Sequence, residues 1–431
     1  MADTLVFEKS GPLKGELSPP PDKSISHRAI LFCSLAKGSS RIKNLLLAED
    51  PLSTIKAMEA LGAKINIKAD EVIIHGTGLY GLKEPTDIIN CGNSGTTMRL
   101  LTGLLSAQPF FSVLTGDASL RSRPMKRVIK PLSQMGALIQ GRQHDSFAPL
   151  AIKGSKPKAI QYQSPVASAQ VKSAILLAGL YADGKTTVKE PARSRDHTER
   201  MLPAFGAKTE IEGLSVSVYT AEEFHPVDMV IPGDFSSAAF FMVAALITEG
   251  SEVLLKNVCT NPTRTGLLEV VKKMGGDIRL LNQKEVSGEP VADILCRYTE
   301  GLRAVDVPGE LVPSMIDEFP IFAVLATQAE GTTTIRGAEE LRVKESDRIK
   351  TMAEELKKMG VALEEYPDGM SIKGPAKLKA AELYSHQDHR VAMSLAVASL
   401  IAEGRSILKG TRAVDISYPG FFEHLKRLSD N

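Results

Sequence analysis

The sequence contains no tryptophan, and aromatic residues make up only 5% of its 431 positions. Aromatic side chains provide the stacking surfaces of single-stranded nucleic-acid binders and many anchors of protein interfaces. An excess of positive charge is also missing, since 52 Lys and Arg oppose 51 Asp and Glu. This balance excludes a global positive field that would hold nucleic acid or an anionic membrane. Any anion site must therefore be built locally.

Cysteine is scarce, and its spacing does not suggest a metal site or a disulfide framework. The four cysteines form no C-x-x-C pair and have no histidine at metal-ligand spacing: Cys33, Cys91, Cys259 and Cys296. Disulfide frameworks belong mainly to short secreted chains. We therefore expect reduced thiols, no metal ion and a cytoplasmic protein.

A long hydrophobic run is absent as well. The longest unbroken apolar stretch, residues 238–247, is about half of what a membrane span needs. The first residues show no basic segment followed by an apolar one, so we expect no leader peptide. With 43% hydrophobic and 24% charged residues, the composition is that of a soluble globular protein. The length predicts about two or three domains.

One phrase recurs along the chain: the end of an apolar helix, a glycine and then a strand. It lies around five glycines spaced 74, 70, 69 and 85 residues apart: Gly62, Gly136, Gly206, Gly275 and Gly360. A glycine in the left-handed region is a common helix C-cap, and the following alternation predicts a strand. We infer six α/β modules, although αβ units often end in glycine and the recurrence could be generic.

Pro-rich and Pro/Gly segments mark the boundaries of these modules. GELSPPPDKS at residues 15–24 and VIPGDFSSAA at residues 230–239 interrupt the helical and strand patterns. An equal division of six modules gives two lobes with a cleft between them. We therefore predict an α/β fold with one lobe of residues 1–20 plus 233–431, an inserted lobe of residues 21–232, and hinges near residues 20 and 232.

Polar clusters stand at the openings of predicted helices. The sequence shows five: PPPDKSISHRA, NCGNSGTTMRL, SPVASAQVKSA, LRVKESDRIK and HQDHRVAMS. Helix N-termini carry unpaired N–H groups and a partial positive charge, so they suit phosphates and carboxylates. Each cluster alone would usually be a plain N-cap. Their repetition in a chain without net charge favours a shared anion site.

Taken together, these motifs resemble the enolpyruvyl transferases of the shikimate pathway, the 5-enolpyruvylshikimate-3-phosphate (EPSP) synthase family. The resemblance covers essentially the whole chain, in order, through PDKSISHRA, GNSGTTMRL, LRSRPM, SAQVKSAILLAGL, SRDHTERML, IDEFPI, RVKESDRI and DHRVAMS. It implies two lobes, each with three βαβαββ repeats, whose helix N-termini face the inter-lobe cleft. The N-terminal strand then belongs with the second lobe.

The resemblance also implies a reaction. The 5-hydroxyl of shikimate 3-phosphate adds to phosphoenolpyruvate, and the tetrahedral intermediate loses phosphate, with no cofactor and no metal. The residues implied to be catalytic are Lys23, Asp317 and Glu345. Those implied to bind shikimate 3-phosphate are Lys23, Ser24, Arg28, Ser168, Ala169, Gln170, Arg195, Asp317 and Lys344. Those implied to bind phosphoenolpyruvate are Lys23, Asn93, Gly95, Arg123, Gln170, Arg348 and Arg390.

Two positions depart from the pattern of many relatives. Ala169 stands where a second serine is common, and Ile416 stands where many relatives carry a substrate-binding lysine. Both features resemble the second class of the family, which includes enzymes tolerant of glyphosate. Gly95, in contrast, is the small residue typical of the sensitive type. We expect glyphosate to occupy the phosphoenolpyruvate site and leave the sensitivity open.

Two other functions are compatible with parts of the pattern. The sister enzyme that uses UDP-N-acetylglucosamine normally carries a reactive cysteine in the loop before the Arg-Pro pair, but this loop, TGDASLRSRP, has Ala118 or a neighbour there. A non-enzymatic anion-binding module is the second alternative, and neutral net charge counts against it. For the enzyme, we expect small-molecule substrates only, no nucleic acid or membrane partner, and a monomer.

Overall fold

The computed structural model describes residues 3–430, which divide into two compact units. One, here called the discontinuous unit, comprises residues 3–20, 232–285 and 290–430. The other, the inserted unit, comprises residues 21–231 and the short hairpin segment 286–289. The chain therefore passes from one unit to the other near residues 20 and 232, next to the Pro-rich and Pro/Gly segments of the sequence.

Short strands alternate with helices along the whole described range. The strands are β1 Thr4–Glu8, β2 Lys14–Leu17, β3 Lys37–Lys43, β4 Lys64–Ile67, β5 Glu71–Thr77, β6 Ile89–Asn90, β7 Phe111–Thr115, β8 Leu138–Gly141, β9 Phe147–Lys153, β10 Gln161–Gln163, β11 Thr186–Lys189, β12 Thr209–Glu212, β13 Ser215–Val218, β14 Met229–Val230, β15 Glu252–Cys259, β16 Ile278–Val286, β17 Glu289–Arg297, β18 Gly331–Ile335, β19 Ala362–Tyr366, β20 Gly369–Gly374, β21 Glu382–Tyr384 and β22 Arg405–Lys409.

The helices include several that begin at the polar clusters of the sequence. They are α1 Lys23–Leu35, α2 Glu49–Ala60, α3 Gly95–Ser106, α4 Lys126–Gln134, α5 Arg142–Asp145, α6 Ala169–Gly179, α7 His197–Met201, α8 Phe235–Ile247, α9 Gly266–Lys273, α10 Val312–Met315, α11 Phe319–Ala326, α12 Arg348–Lys358, α13 His389–Ser399 and α14 Phe421–Ser429. Of these, α5 is a single turn in which Gln143 and His144 have left-handed dihedrals.

The strands form small sheets, and the three sheets of the inserted unit share one topology. In the inserted unit the orders are β14-β3-β5-β4, β6-β7-β9-β8 and β10-β11-β13-β12. In each of them the first two strands are parallel and the later pairs are antiparallel. In the discontinuous unit the orders are β16-β17-β15-β2, β18-β20-β19 and β1-β22-β21. These sheets agree with the predicted α/β fold of three repeats in each unit.

The recurring glycines have the conformation that the repeat predicted. Their φ angles lie between +85° and +105°, in the left-handed region that disfavours side chains: Gly62, Gly136, Gly206, Gly275 and Gly360. Each follows a helix and precedes the next strand, so the repeated phrase is a helix C-cap in every case.

Buried helices form the centre of each unit. In the discontinuous unit every residue of α8, α11 and α13 is buried. In the inserted unit most residues of α1, α3 and α6 are buried. A helix that is apolar on all sides belongs in a core. In α1, α8 and α13 most of the polar residues lie in the first two turns, near the end where the backbone N–H groups need partners.

Membrane-spanning helices were not expected from the sequence. None of the helices within residues 3–430 is long and apolar enough to cross a membrane.

Candidate active site

Three helices of the inserted unit begin at predicted polar clusters, and each has a side-chain N-cap. Asp22 accepts a hydrogen bond from the N–H of Ile25 at 2.9 Å, and Ser94 accepts one from the N–H of Thr97 at 3.1 Å. Ser168 caps α6 in the same way, at a longer 3.5 Å. The prediction that these clusters open helices is confirmed. Capping leaves other N–H groups of the first turn available to an anion.

Side chains of α3 and α6 connect the starts of these two helices. The Arg99 guanidinium donates from Nη1 to Gln170 Oε1 at 2.7 Å, and Gln170 Nε2 donates to Thr96 Oγ1 at 2.9 Å. Gln170 was implied to bind both substrates, whereas the family resemblance implied no role for Arg99. The structure brings them into direct contact, so the position of Gln170 depends on Arg99.

A buried chain of hydrogen bonds connects α1 with α2 and α3. His27 Nδ1 lies 2.7 Å from Thr54 Oγ1, which lies 2.7 Å from Thr97 Oγ1, and Thr97 is bonded to Ser94. Burial, together with the positive charges of Lys23 and Arg28, holds the pKa of His27 well below its ordinary value. His27 is therefore neutral at pH 7 and serves as a structural connector rather than as a cation.

Arg28 is a buried cation that joins three helices. Its Nε donates to Thr198 Oγ1 at 2.7 Å, its Nη2 to Ser173 Oγ at 2.9 Å and its Nη1 to the carbonyl of Ser24 at 3.0 Å. Burial lowers its pKa to about 10, and the positive charge of Arg195 acts in the same direction, while Glu199 opposes it. Arg28 and Arg195 therefore contribute positive charge to the same region of this unit.

The Gly-rich turn before α3 is held against a buried arginine. Arg123 Nη2 donates to Asn93 Oδ1 at 2.5 Å, and Asn93 Nδ2 donates to Asp117 Oδ2 at 2.6 Å. A Cβ at Gly95 would lie 2.7 Å from Arg99 Nη1 and 3.4 Å from Arg123 Nη1. The glycine thus lets two guanidinium groups approach the first turn of α3, which makes a compact site for an anion.

Lys23 is the first residue of α1 and forms an ion pair with Asp50 of α2. Its Nζ lies 3.1 Å from Asp50 Oδ2, and the two side chains are only 16% and 11% exposed. The sequence pattern did not single out Asp50, because an acid in the first turn of α2 is a common helix-dipole feature. Its contact with Lys23 fixes the direction of the ammonium group.

Arg348 is the centre of the cluster in the discontinuous unit. The fully buried guanidinium contacts three carboxylates: Asp388 Oδ2 at 2.8 Å, Glu345 Oε2 at 2.6 Å and Asp317 Oδ1 at 3.3 Å. Burial opposes the charge of Arg348, but the three acids outweigh burial and raise its pKa above the ordinary value. The same pairing lowers the pKa of Asp388 despite its burial. The two predicted catalytic carboxylates, Asp317 and Glu345, therefore contact the two terminal nitrogens of the same guanidinium group.

Asp317 has a second arginine beside it. Its Oδ2 lies 3.4 Å from Arg390 Nη2, and its backbone carbonyl accepts a hydrogen bond from Arg390 Nη1 at 3.2 Å. Asp388 caps α13 by accepting from the N–H of Arg390 at 2.9 Å. Arg390, at the second position of α13, therefore joins the start of that helix to the segment before α11.

Lys344 is partly exposed and adds positive charge to this cluster. Burial lowers the pKa of its ammonium group, and the nearby Asp317 and Glu340 act against this change. A lysine with a lowered pKa gives up its proton more easily than an exposed lysine. It precedes α12 in the segment that also carries Glu345.

None of the predicted site residues is on the open surface. Their side chains are buried or partly buried: Lys23, Ser24, Arg28, Asn93, Gly95, Arg123, Ser168, Ala169, Gln170, Arg195, Asp317, Lys344, Glu345, Arg348 and Arg390. The inserted unit brings together those on α1, α3 and α6, and the discontinuous unit brings together Asp317, Glu345, Arg348 and Arg390. Such concentrations of partly buried charge are typical of functional sites.

The structure also shows where the positions that differ from many relatives lie. Ala169 is the first residue of α6, and Ile416 is the last residue of the 3-10 turn Thr411–Ile416. Ala118 is exposed in the loop before Arg123. The nearest cysteine in the sequence, Cys91, is fully buried, and burial raises its pKa to about 12. A thiol with such a pKa is a poor nucleophile at neutral pH.

Comparison with protein families decides which group this chain belongs to. The family model described as EPSP synthase (3-phosphoshikimate 1-carboxyvinyltransferase) matches residues 7–425. The chain belongs to the EPSP synthase family. A protein of Thermodesulfovibrio yellowstonii named 3-phosphoshikimate 1-carboxyvinyltransferase is 54% identical over 98% of this chain and 99% of its own length. One of Gloeothece citriformis with the same name is 54% identical over 96% of this chain and 94% of its own length.

Solved structures agree with this assignment. An EPSP synthase of Acinetobacter baumannii superposes with a TM-score of 0.88 at 46% sequence identity, covering 99% of this chain and 98% of the other. The family resemblance and the predicted α/β fold class are therefore confirmed. Among residues 3–430, no group of three or more His, Cys, Asp or Glu side chains is arranged to hold a metal ion.

Proposed function

We propose that this EPSP synthase family member transfers the enolpyruvyl group of phosphoenolpyruvate to the 5-hydroxyl of shikimate 3-phosphate and releases phosphate, in the biosynthesis of chorismate and the aromatic amino acids. Family membership and relatives at 51–55% identity over nearly the whole chain support the activity. The structural observation that carries it is the cluster around Arg348, where one guanidinium holds both Asp317 and Glu345.

Shikimate 3-phosphate carries a carboxylate, a phosphate and the reacting hydroxyl. We assign Ser24 and Arg28 to the carboxylate side, and Ser168, Ala169 and Gln170 with Arg195 to the phosphate. The start of α6 supports this assignment, because an N-terminus with free N–H groups beside an arginine binds phosphate well. Lys23, Lys344 and Asp317 complete the proposed contacts of this substrate.

Phosphoenolpyruvate carries its carboxylate and its phosphate on a smaller molecule, so its site needs several cations close together. We assign Lys23, Asn93, Gly95, Arg123, Gln170, Arg348 and Arg390 to it. The contacts of Arg123 with Asn93, and the close approach of the Gly95 backbone to two guanidinium groups, support this choice. Glyphosate, an anion of similar size, is proposed to occupy the same place.

The chemistry requires two proton transfers. In the addition step, the 5-hydroxyl oxygen bonds to C2 of phosphoenolpyruvate and gives its proton to Asp317, while C3 receives a proton from the Glu345 carboxyl. In the elimination step, the C2–O bond to phosphate breaks, the methyl group at C3 returns a proton to Glu345, and the proton held by Asp317 passes to the departing phosphate. Arg348 orients both carboxylates, and the surrounding cations stabilise the negative charge that develops on the substrates.

The reaction as written balances without a cofactor, because no electrons leave or enter and the leaving group is phosphate.

We further propose that the protein is cytoplasmic and acts as a monomer. Light scattering during gel filtration tests the second point, since a monomer should elute with a mass near 46.4 kDa. A mass of twice that value would overturn it.

Phosphate release with two alternative acceptors tests the proposed function. The purified protein and phosphoenolpyruvate should release phosphate with shikimate 3-phosphate and should release none with UDP-N-acetylglucosamine. The high pKa of the buried Cys91 and the alanine at position 118 support this preference. Release with the nucleotide sugar alone would assign the chain to the sister activity, and no release with either acceptor would refute enolpyruvyl transfer.

The role of Asp317 is tested by Asp317→Ala. Because general-base catalysis contributes about a hundred- to ten-thousandfold, turnover should fall by that factor while shikimate 3-phosphate still binds. Asp306→Ala, at an exposed acid of the same unit, is the control. Unchanged turnover in Asp317→Ala would show that the base is another group.

A further inference from the structure

A buried ionic cluster lies directly beneath the start of α6 in the inserted unit. Lys172 Nζ lies 2.9 Å from Glu190 Oε2 and 2.7 Å from Glu199 Oε1. The three side chains are between 1% and 3% exposed. None of the three was assigned a role in the reaction, and all three are too buried to contact a substrate.

Glu190 uses its carboxylate to hold two separate segments. Its Oε1 accepts from the backbone N–H of Ser168 at 3.0 Å and from the hydroxyl of Ser194 at 2.7 Å. Its Oε2 lies 2.9 Å from the Ser194 hydroxyl and 3.4 Å from the Ser194 N–H. With Lys172, the carboxylate therefore has four donors on two different stretches of chain.

The cost of burial argues that these bonds are important. A carboxylate removed from water is strongly destabilised unless it is paired and hydrogen-bonded. Glu199 shows this cost, since burial raises its pKa although Lys172 acts in the opposite direction. A chain that keeps two such acids around one lysine gains a rigid connection between the segments that they hold.

Those two segments are the two parts of the proposed phosphate site. Ser168 is the N-cap of α6, whose first turn includes Ala169 and Gln170. Ser194 directly precedes Arg195, which lies near Arg28. The carboxylate of Glu190 accepts hydrogen bonds from both Ser168 and Ser194 and so connects the two parts of this site.

We infer that Glu190 is a positioning residue for the phosphate of the shikimate substrate: its ionised carboxylate sets the distance between the α6 N-terminus and the loop that carries Arg195. This inference rests on the proposed function. It predicts that removing the charge of Glu190 loosens the phosphate site and leaves the phosphoenolpyruvate site nearly unchanged. The contacts of Asn93 and Arg123 do not involve Glu190, and the side chain of Gln170, which is assigned to both substrates, is held by Arg99 and Thr96 of α3.

The substitution Glu190→Gln keeps the size of the side chain but turns one oxygen into an N–H donor. The amide cannot accept from Ser168, Ser194 and Lys172 together. The KM for shikimate 3-phosphate should rise about ten- to a hundredfold, the range expected for losing hydrogen bonds to a charged group. The KM for phosphoenolpyruvate should change by less than about threefold, since its contacts remain.

A second acceptor separates positioning from a merely structural role. Shikimate lacks the phosphate, so its kcat/KM, measured from the linear rise of rate with shikimate concentration, should be alike in Glu190→Gln and the unaltered chain. Glu210→Gln, an exposed acid of the same unit that pairs with Lys185 at 2.7 Å, is the matched control and should change neither acceptor. Equal losses with both acceptors, or an unchanged KM for shikimate 3-phosphate, would overturn the inference.

A milder variant covers the case in which Glu190→Gln does not fold. Ser194→Ala removes the hydroxyl that contacts both oxygens of Glu190 but leaves Lys172 and Ser168 in place. It should raise the KM for shikimate 3-phosphate selectively, and no change would overturn the inference. These results can be told apart from a failure of the proposed function. If the proposed function were wrong, the unaltered chain itself would release no phosphate, whereas the inference about Glu190 is tested by comparing variants with an active unaltered chain.

Discussion

Replacing Arg348 by methionine removes the cation that three acids share. Asp388 is then left fully buried without the guanidinium that it contacts. It still accepts hydrogen bonds from the hydroxyl of Ser346 and from the backbone N–H of Arg390. Methionine fills much of the same space and carries no charge. The substitution therefore isolates the electrostatic contribution of the guanidinium to the stability of the discontinuous unit.

The expected loss follows from the burial of the pair. Breaking a buried ion pair by removing one partner costs about 3–5 kcal/mol, because it leaves an uncompensated charge. For a unit of this size, each 1 kcal/mol lowers the Tm by about 2–4 °C. The Tm of the discontinuous unit should therefore fall by roughly 6–20 °C at pH 7.

The dependence on pH has a definite sign. In the unaltered chain the pKa of Asp388 is lowered, so its contribution to stability is present above the ordinary aspartate pKa and is lost as the pH falls through the lowered value. In Arg348→Met the buried Asp388 should have a raised pKa, and protonation then relieves the uncompensated charge. The difference in free energy of unfolding between the two proteins should therefore shrink from pH 7 to pH 5.

Denaturant and thermal unfolding at several pH values measure this difference. The matched control is Arg336→Met, which removes a side chain that is 56% exposed and pairs with Asp368 at 2.7 Å. That exposed pair should cost less than about 1 kcal/mol. A loss below about 1 kcal/mol in Arg348→Met, or a loss that does not depend on pH, would refute the electrostatic account.

Three further predictions concern the packing of α3 on α6, the ion pair of Lys23 and the burial of His27. Gly103→Ala should destabilise the inserted unit by about 1–3 kcal/mol in urea unfolding, because the new Cβ would lie 2.3 Å from the carbonyl oxygen of Ala174 on α6. The control Gly11→Ala places its Cβ where no atom lies within 4 Å and should be neutral. Equal stabilities of the two variants would contradict the packing argument. Lys23→Met should raise the KM of both substrates while the exposed Lys37→Met does not, and an effect on one substrate alone would rule out a bridging lysine. In an NMR titration, His27 should stay neutral between pH 8 and pH 6. The free energy of unfolding should fall as the pH drops below about 6.5, because the unfolded chain then binds a proton at His27 that the folded chain excludes. Titration of His27 near pH 6.5 in the folded protein would show that burial does not lower its pKa.

Local signals in the sequence predicted much of the fold. Gly62 and Gly206, for example, stand after apolar helices and before alternating strands, and a left-handed C-cap is the one conformation that this order favours. The polar clusters likewise predicted where α1, α3 and α6 begin, because Asp22, Ser94 and Ser168 are strong N-cap residues. These features depend on neighbours within a few residues, so a pattern can reveal them.

Contacts between distant segments could not be predicted in the same way. Lys172 and Glu190 form one cluster with Glu199, but a lysine within an apolar helix and two acids in later segments carry no local sign of pairing. Asp388 was visible only as part of a helix opening, and its contact with Arg348 spans 40 residues. Residues 286–289 belong to the inserted unit although the strands on either side belong to the discontinuous unit, and strand propensity could not predict this because tertiary packing decides it.

The most direct test of enolpyruvyl transfer by addition and elimination is the NMR spectrum of the product formed in D2O. From shikimate 3-phosphate and phosphoenolpyruvate the protein should form a vinyl ether at the 5-oxygen with deuterium in its methylene group, because C3 is protonated from a group that exchanges with solvent. Glu345→Gln should slow the incorporation of deuterium. A product without deuterium would contradict protonation at C3, and free pyruvate with no vinyl ether would show hydrolysis instead of transfer.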